Sequence, residues 1–443
     1  MLIESKYNYK YCSDKKTILY NALSQKILIL DKEYNINTWN NAVLSSETHN
    51  FLVDNHFLVE PEIDENALMD MYRLESIMQD ELQLMILPTT FCNFKCIYCY
   101  ENLCPSNMDE VTMNNIIRFI KHEIGEKKRL VVEWFGGEPL VQKEIIYKLS
   151  EKMLEVCRLS RKQFVASITT NGALLDVETF QKLMDYHVYT FNVTLDGPAY
   201  IHNKLKPYFN GRGSFETIIG NLLDIKKKFS SKRFTILIRV NVTHLLLPDF
   251  EDFLKYLNEL FGNDSHFSFM FRIVQDCESD TIEQIRNQLL DSLDDVYDLL
   301  LKSKVNLDYR GHYELLSSRT CFGARRNAFV IYVDGTVYKC PNLIGDEKSR
   351  VGHLVDSGKV LLNKKSMSKW INANLFKSSR KCEACSFAPS CKDCPAKIEV
   401  MNSERPCILL NSRLNKMLEL FARGQERYLY NFVYKIVEGE IVQ

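Results

Sequence analysis

Phe91-Cys92-Asn93-Phe94-Lys95-Cys96-Ile97-Tyr98-Cys99-Tyr100-Glu101 sets three thiols in a C-x3-C-x2-C frame. Soft thiolates suit iron and zinc alike. A structural zinc needs a fourth ligand close by, and none follows at zinc-like spacing. Cys104 lies five residues past Cys99 and reads as a bystander. Three ligands to a four-iron cluster leave one iron open, where a reactive cofactor can bind. The run just before the thiols, Leu82–Thr90, has strand character. The cysteine loop therefore falls at a strand's C-terminal end, where strand-helix folds build their active sites.

Working outward, short apolar runs alternate with amphipathic segments. Strands are expected at Leu82–Thr90, Leu130–Phe135, Phe164–Thr169, Val188–Leu195, Phe234–Val242 and Phe267–Val274. Helices are expected at Met113–Ile124, Glu144–Leu159, Glu178–Asp185, Phe215–Phe229 and Asp249–Leu260, with one more at Glu283–Leu301. A repeated strand-helix unit implies a parallel sheet with its helices outside. Six units fit an α/β partial (β/α)6 barrel better than a closed eightfold one.

The chain has 443 residues, 46% hydrophobic and 26% charged. That composition is globular and fits two or three domains. Lys and Arg number 56 against 57 Asp and Glu, so bulk charge gives no case for nucleic acid or an anionic membrane. The N-terminus lacks the charged-then-apolar order of a secretory signal. The longest apolar runs, such as Phe329 to Val333, are strand-sized. A cytoplasmic protein is expected, and against it 14 cysteines stand out. In a reducing compartment clustered cysteines point to metal rather than disulfides.

Residues 1–82 read as a separate unit. Ile18–Ala22 and Lys26–Leu30 form a hairpin signal, followed by helical patterns at Asn37–Leu44, Glu47–Asp54 and Glu65–Asp80. That order suggests a winged-helix-like module, the alternative being a decoration of the main domain. The barrel is expected over 83–305 and a Cys-rich unit over 306–443. In the latter, Phe329–Tyr338 reads as a hairpin turning at Asp334-Gly335, flanked by Cys321 and Cys340. Then comes C-x2-C-x5-C-x2-C over Cys382, Cys385, Cys391 and Cys394, followed by Cys407. Taken alone, such pairs are more often zinc knuckles. Arg413–Val437 is expected to be helical. Cys12, Cys104 and Cys157 read as incidental or buried thiols, and Cys277, just past the sixth strand, is the one of the remainder with a case for a role.

The C-x3-C-x2-C spacing with an aromatic before its last Cys resembles the radical S-adenosylmethionine (SAM) superfamily. Supporting motifs follow at successive strand ends: Gly136-Gly137-Glu138-Pro139, Thr170-Asn171-Gly172, Thr194-Leu195-Asp196-Gly197-Pro198 and Arg239-Val240-Asn241. The resemblance implies a [4Fe-4S] cluster on Cys92, Cys96 and Cys99, whose open iron chelates SAM and cleaves it to a 5'-deoxyadenosyl radical. It implies SAM contacts at Gly136, Gly137, Glu138, Asn171, Thr194 and Asn241, with Arg212 or Arg239 on the carboxylate. Glycine at the second motif would let the main chain approach the ligand closely. The family's H-D-x-x-R segment reads His202-Asn203-Lys204-Leu205-Lys206 here, so Lys stands where that Arg would be.

The Cys-rich end resembles the SPASM extension of peptide-modifying radical SAM enzymes, which holds two auxiliary [4Fe-4S] clusters. The family pattern assigns Cys382, Cys385, Cys391 and Cys407 to one. Cys321, Cys340 and Cys394 go to the other, with no evident fourth ligand. The implied activity is maturation of a ribosomally made precursor peptide with a leader. Flavodoxin or ferredoxin would be the reductant, and neither nucleic acid nor membrane a partner. The crosslink is expected to be a thioether; carbon–carbon crosslinking and formylglycine generation, as in anaerobic sulfatase maturation, are the alternatives. No catalytic acid or base is assigned. Asp276, Glu278 and Asp280 read as solvated loop charges.

Overall fold

A computed structural model describes residues 2–12, 16–31, 44–99, 101, 104–273, 293–308, 320–372, 385–391, 394–396, 414–416, 418–419, 433–437 and 440–442. The chain opens with β1 (Ile3–Glu4), β2 (Asn8–Cys12), β3 (Lys16–Asn21) and β4 (Lys26–Asp31). Helix α1 (Ser46–Asp54), β5 (Leu58–Val59) and α2 (Glu65–Ile77) follow. The hairpin-then-helices order holds; of the expected helix at Asn37–Leu44, residues 37–43 lie outside the described residues.

All six barrel strands form: β6 (Glu81–Ile86), β7 (Arg129–Trp134), β8 (Gln163–Thr170), β9 (Val188–Thr194), β10 (Thr235–Val242) and β11 (Phe267–Ile273). Between them run α3 (Glu110–Glu123), α4 (Lys143–Leu159), α5 (Val177–Asp185), α6 (Ala199–Leu205), α7 (Phe215–Lys228) and α8 (Phe250–Phe261). Helices α3 and α5 start where short acidic side chains satisfy free N–H groups: Asp109 accepts from Thr112 at 2.8 Å and Asp176 from Thr179 at 2.7 Å. The strands pair in parallel in chain order and do not close. Their side chains alternate. Leu130, Val132, Trp134, Ala166, Ile168, Phe191 and Val193 are buried in the core, and the residues between them face the concave side of the open barrel.

Helix α9 (Leu293–Lys302) leads toward the Cys-rich part. There β12 (Ala328–Ile331) and β13 (Thr336–Tyr338) form the expected hairpin, continued by β14 (Arg350–Leu354), β15 (Val360–Leu362) and α10 (Lys364–Asn372). Without any local signal for it, β12 also pairs in parallel with β6, Val330 opposite Met85. The Cys-rich part thereby extends the barrel sheet to ten strands.

The C-terminus corrects an expectation. Residues 433–437 are not helical; Val433–Val437 is strand β16, followed by β17 (Glu440–Val442). The run Val-Tyr-Lys-Ile-Val is β-branched and aromatic. Strand β16 pairs in parallel with β4, Lys435 opposite Ile29, and completes a five-stranded sheet ordered β17-β16-β4-β3-β2. The N-terminal sheet is thus built from both ends of the chain, beyond 1–82.

One face of that sheet packs Leu19, Leu28 and Leu30 with Leu52, Phe57, Tyr434 and Ile436. The other face, with Ile18, Tyr20, Ile27 and Ile29, joins the main core. Phe387 packs its ring 4.7 Å from Tyr9 and 5.7 Å from Tyr20. Arg73 on α2 donates to the Ala388 carbonyl at 2.6 Å. Among the described residues no helix is long and apolar enough to cross a membrane.

Candidate functional site

The loops at the C-terminal ends of β6 to β10 meet, and buried carboxylates hold them together. Glu138 is almost fully buried. Its Oε1 accepts from the Leu140 amide at 3.0 Å and from Thr170 Oγ1 at 2.7 Å, and its Oε2 from the Asn171 amide at 2.7 Å. One side chain therefore ties the β7 loop to the β8 loop. Burial raises its carboxyl above the ordinary range, opposed by the hydrogen bonds from Asn171, Thr170 and Leu140. Asn171 then donates to Asn93 in the cysteine loop at 2.7 Å.

Gly136 and Gly137 complete this ledge. Gly136 has φ +128°, and a Cβ there would lie 2.4 Å from the Thr89 carbonyl oxygen. A Cβ on Gly137 would lie 2.5 Å from that of Phe91. The Glu138 amide donates to Phe91 O at 2.8 Å. The glycines are therefore required for the β7 loop to press against the cysteine loop.

Asp196, also fully buried, does the same work on the far side. It accepts from the Asn241 amide at 2.8 Å, from Asn241 Nδ2 at 3.1 Å and from the Tyr98 hydroxyl. Tyr98, between Cys96 and Cys99, is thus fastened to the ends of β9 and β10. Arg239 Nε donates to Asn241 at 3.0 Å. The Asp196 amide donates to His202 Nδ1 at 3.1 Å, and His202 Nε2 faces Ser214 Oγ at 3.1 Å. Burial holds His202 down at about 3, so the ring is neutral.

Cys92 and Cys96 are half-buried, Cys99 is exposed, and none is in a disulfide. The Phe94 amide donates to Cys92 Sγ at 3.4 Å. Burial pushes the Cys92 thiol up to about 12, reinforced by Glu138, Cys96 and Cys99. Three thiols in electrostatic reach of one another, one already accepting a backbone N–H, are a donor set that fits an iron-sulfur cluster. Among the described residues no three His, Cys, Asp or Glu are gathered tightly enough to hold a single metal ion.

Of the expected SAM cations, Arg212 is exposed on a turn and Arg239 is exposed beside Asn241. Lys206 is buried, its ammonium 5.7 Å from the Tyr98 ring centre and within electrostatic reach of Cys96, Cys99, Asp196 and Glu138. Its Nζ has no hydrogen-bond acceptor among the described residues. Thr194, at the end of β9, is half-buried on the concave side.

In the Cys-rich part Cys321, Cys340 and Cys394 come together from three separate segments. Burial raises the Cys340 thiol to about 12, and neighbouring Cys321 and Cys394 add to it. Lys339 is fully buried there and donates to the carbonyls of Arg325 at 2.5 Å and Ala328 at 2.6 Å. This pins the Cys321 segment to β13. Cys385 and Cys391 flank the turn that meets the N-terminal sheet, both half-buried. Cys382, Cys407, Cys277, Asp276, Glu278 and Asp280 lie outside the described residues.

Comparison with known proteins agrees with this geometry. The Radical SAM superfamily pattern matches residues 86–260. An uncharacterised protein of Methanocaldococcus jannaschii is 29% identical over 315 residues, covering 69% of this chain and all of that protein. A cysteine-type anaerobic sulfatase-maturating enzyme of Clostridium novyi is 23% identical over 345 residues, 70% of this chain and 87% of that enzyme. The structure of anSMEcpe with bound AdoMet and a peptide superposes with a TM-score of 0.55 at 21% identity, over 79% of this chain and 98% of that one.

Proposed function

We propose that this chain, whose residues 86–260 match the Radical SAM superfamily pattern, is a radical SAM enzyme that matures a ribosomally made precursor peptide by installing an intramolecular crosslink, a thioether in the first instance. The observation that carries the reading is the convergence of the cysteine loop, the Gly136-Gly137-Glu138 ledge, Asn171, Asp196 and Asn241 at one end of an open parallel sheet. Cys92, Cys96 and Cys99 would hold the SAM-binding [4Fe-4S] cluster. Cys321, Cys340 and Cys394, and separately Cys382, Cys385, Cys391 and Cys407, would hold two auxiliary clusters. The cluster on Cys92, Cys96 and Cys99 would supply, when bound, the electron that cleaves SAM to a hydrogen-abstracting 5'-deoxyadenosyl radical.

The chain's own residues bind and orient. Gly136, Gly137, Glu138, Asn171, Thr194 and Asn241 shape the SAM pocket, Glu138 and Asn171 by holding its loops in place. Lys206, a buried cation with no acceptor among the described residues, is the better candidate for the SAM carboxylate, with Arg239 beside it and Arg212 the weaker. Lysine there presents a point charge, where arginine would offer a bidentate fork.

The N-terminal sheet is the proposed leader site, by addition of a strand to a sheet edge. The chain's own β16 occupies the β4 edge. A leader therefore adds at the outer edge of β2 or β17, or displaces β16. A flavodoxin or ferredoxin is the proposed reductant and the cytoplasm the proposed location.

Sulfatase maturation is the second reading, favoured by the similarity to the Clostridium novyi enzyme and by the peptide that anSMEcpe binds. One experiment separates the readings. Anaerobically reconstituted protein is incubated with SAM, dithionite and the Cys-containing peptide encoded beside its gene, and the peptide is read by tandem mass spectrometry. Loss of two hydrogens with blocked Cys alkylation is the expected result. Loss of two hydrogens with Cys still alkylatable means a carbon–carbon link. An untouched encoded peptide, with an aldehyde formed instead on a sulfatase-motif peptide, establishes the second reading.

A further inference from the structure

Three carboxylates are buried or half-buried near the ends of β7 and β9: Glu133, Glu138 and Asp196. Two of them are spent. Glu138 takes three hydrogen bonds over both oxygens, and Asp196 takes three over both of its own. Those bonds hold loops together, which accounts for both residues.

Glu133 is different. It lies on β7 between Val132 and Trp134, whose side chains are fully buried in the core. Its own side chain therefore points to the concave face. Its Cα stands opposite Met85 on β6 and Ser167 on β8. Thr169 Oγ1 donates to Glu133 Oε1 at 2.9 Å, and Asn192 Nδ2 donates to Thr169 Oγ1 at 3.3 Å. Thr169 and Asn192 are themselves direct neighbours across β8 and β9. The result is a directed chain of donors across three strands, ending on one oxygen of one carboxylate. The second oxygen, Oε2, accepts no hydrogen bond among the described residues, and no Lys, Arg or His there forms an ion pair with Glu133.

Oε2 of Glu133 is not sealed in the core but open on the concave face, free to accept from a ligand, and perturbed carboxylates in a cleft collect at functional sites. Burial raises its carboxyl above the ordinary range, with Thr169 opposing. Nothing in the loop-holding network uses it. It also lies deeper than the SAM-facing loops: Gly136 begins the ledge three residues later on the same chain. A ligand that meets Glu133 extends down the concave face of the open sheet, as a peptide segment does.

Resting on the peptide-maturase reading above, we propose that Glu133 is the substrate-contacting carboxylate of the barrel interior. Its Oε2 accepts an N–H of the precursor peptide, while Thr169 and Asn192 fix its orientation. Thr169 and Asn192 are positioning residues in this scheme.

The test uses the reconstituted holoenzyme, SAM and the peptide encoded beside the gene, comparing wild type with Glu133→Gln. Glutamine keeps the shape and can still accept from Thr169, which turns an N–H donor toward the peptide. The expected result is an about tenfold rise in peptide KM, the scale of one lost hydrogen bond to a charged acceptor. More 5'-deoxyadenosine is then released per crosslinked peptide, while SAM binding by equilibrium dialysis and the melting temperature stay at wild-type values. Thr169→Val gives a smaller change in the same direction. Wild-type KM and coupling in Glu133→Gln overturns the proposal. So does a parallel loss of SAM affinity, which assigns the carboxylate to SAM. If the wild type itself leaves the peptide untouched while cleaving SAM, the peptide reading fails first and this inference with it.

Discussion

The two thiol groups that the structure brings together are built in opposite ways. Cys92, Cys96 and Cys99 come from one short loop, and the fold's work is to fasten that loop through Tyr98, Asn93, Glu138 and Asp196 to four other strand ends. Cys321, Cys340 and Cys394 come from three segments, and the fold's work is to assemble them, with the buried ammonium of Lys339 tying two of those segments together. The first design needs only local spacing to exist and long-range hydrogen bonds to be held. The second does not exist until the tertiary structure does. Disturbing the first should cost chemistry, and disturbing the second should cost structure as well.

The sharpest way to break that contrast is to remove each set in turn. Replacing Cys92, Cys96 and Cys99 by Ala is expected to lower SAM cleavage by about 100-fold or more, the scale seen when a group central to the chemistry is lost. The auxiliary iron should remain, as iron analysis would show. Replacing Cys321, Cys340 and Cys394 should leave SAM cleavage within about tenfold and abolish the crosslinked peptide. Equal loss of SAM cleavage in both variants would erase the distinction.

Lys339→Met tests the structural side. It leaves two buried carbonyls without their donor, so stability should fall by about 2–3 kcal/mol. Thermal melting of the apo chain measures this, and an unchanged melting temperature would show that the ammonium is not what ties the segments.

The barrel mouth carries its own pH signature. His202 is held neutral, its pKa near 3 in the fold against an ordinary 6.5. The unfolded chain therefore binds the extra proton first, and this stability is fully present above pH 6.5 and lost as pH falls toward 3. Between pH 7.5 and 5 the loss should be about 2 kcal/mol. In His202→Gln the slope of melting temperature against pH should flatten over that range; an unchanged slope would assign the acid sensitivity elsewhere.

The smallest expected effect sharpens the mouth itself. Lys206→Met should raise the KM for SAM about tenfold, and Lys206→Arg should restore most of it. An unchanged KM in Lys206→Met returns the carboxylate to Arg239 or Arg212.

What was legible in the sequence follows the same division. Period-two runs such as Val188–Leu195 and 3.6-period helices such as Glu144–Leu159 placed every barrel strand and the main helices, because each signal is local. The cysteine loop and its ledge were legible for the same reason. The roles of Tyr98, Asp196, Lys206 and Glu133 were not, since each depends on which strands become neighbours. Two pairings carried no local signal: β12 beside β6, and β16 beside β4. The second hides within Arg413–Val437, where the alternation that marks a strand is confined to the last five residues.

The most direct test of the central claim needs no peptide. Anaerobically reconstituted protein, with its iron content measured, is mixed with SAM and dithionite, and 5'-deoxyadenosine is quantified by chromatography. The account predicts that 5'-deoxyadenosine and methionine form in equal amounts, and that the variant lacking Cys92, Cys96 and Cys99 forms both at least about 100-fold more slowly. No 5'-deoxyadenosine from iron-loaded wild-type protein would contradict it.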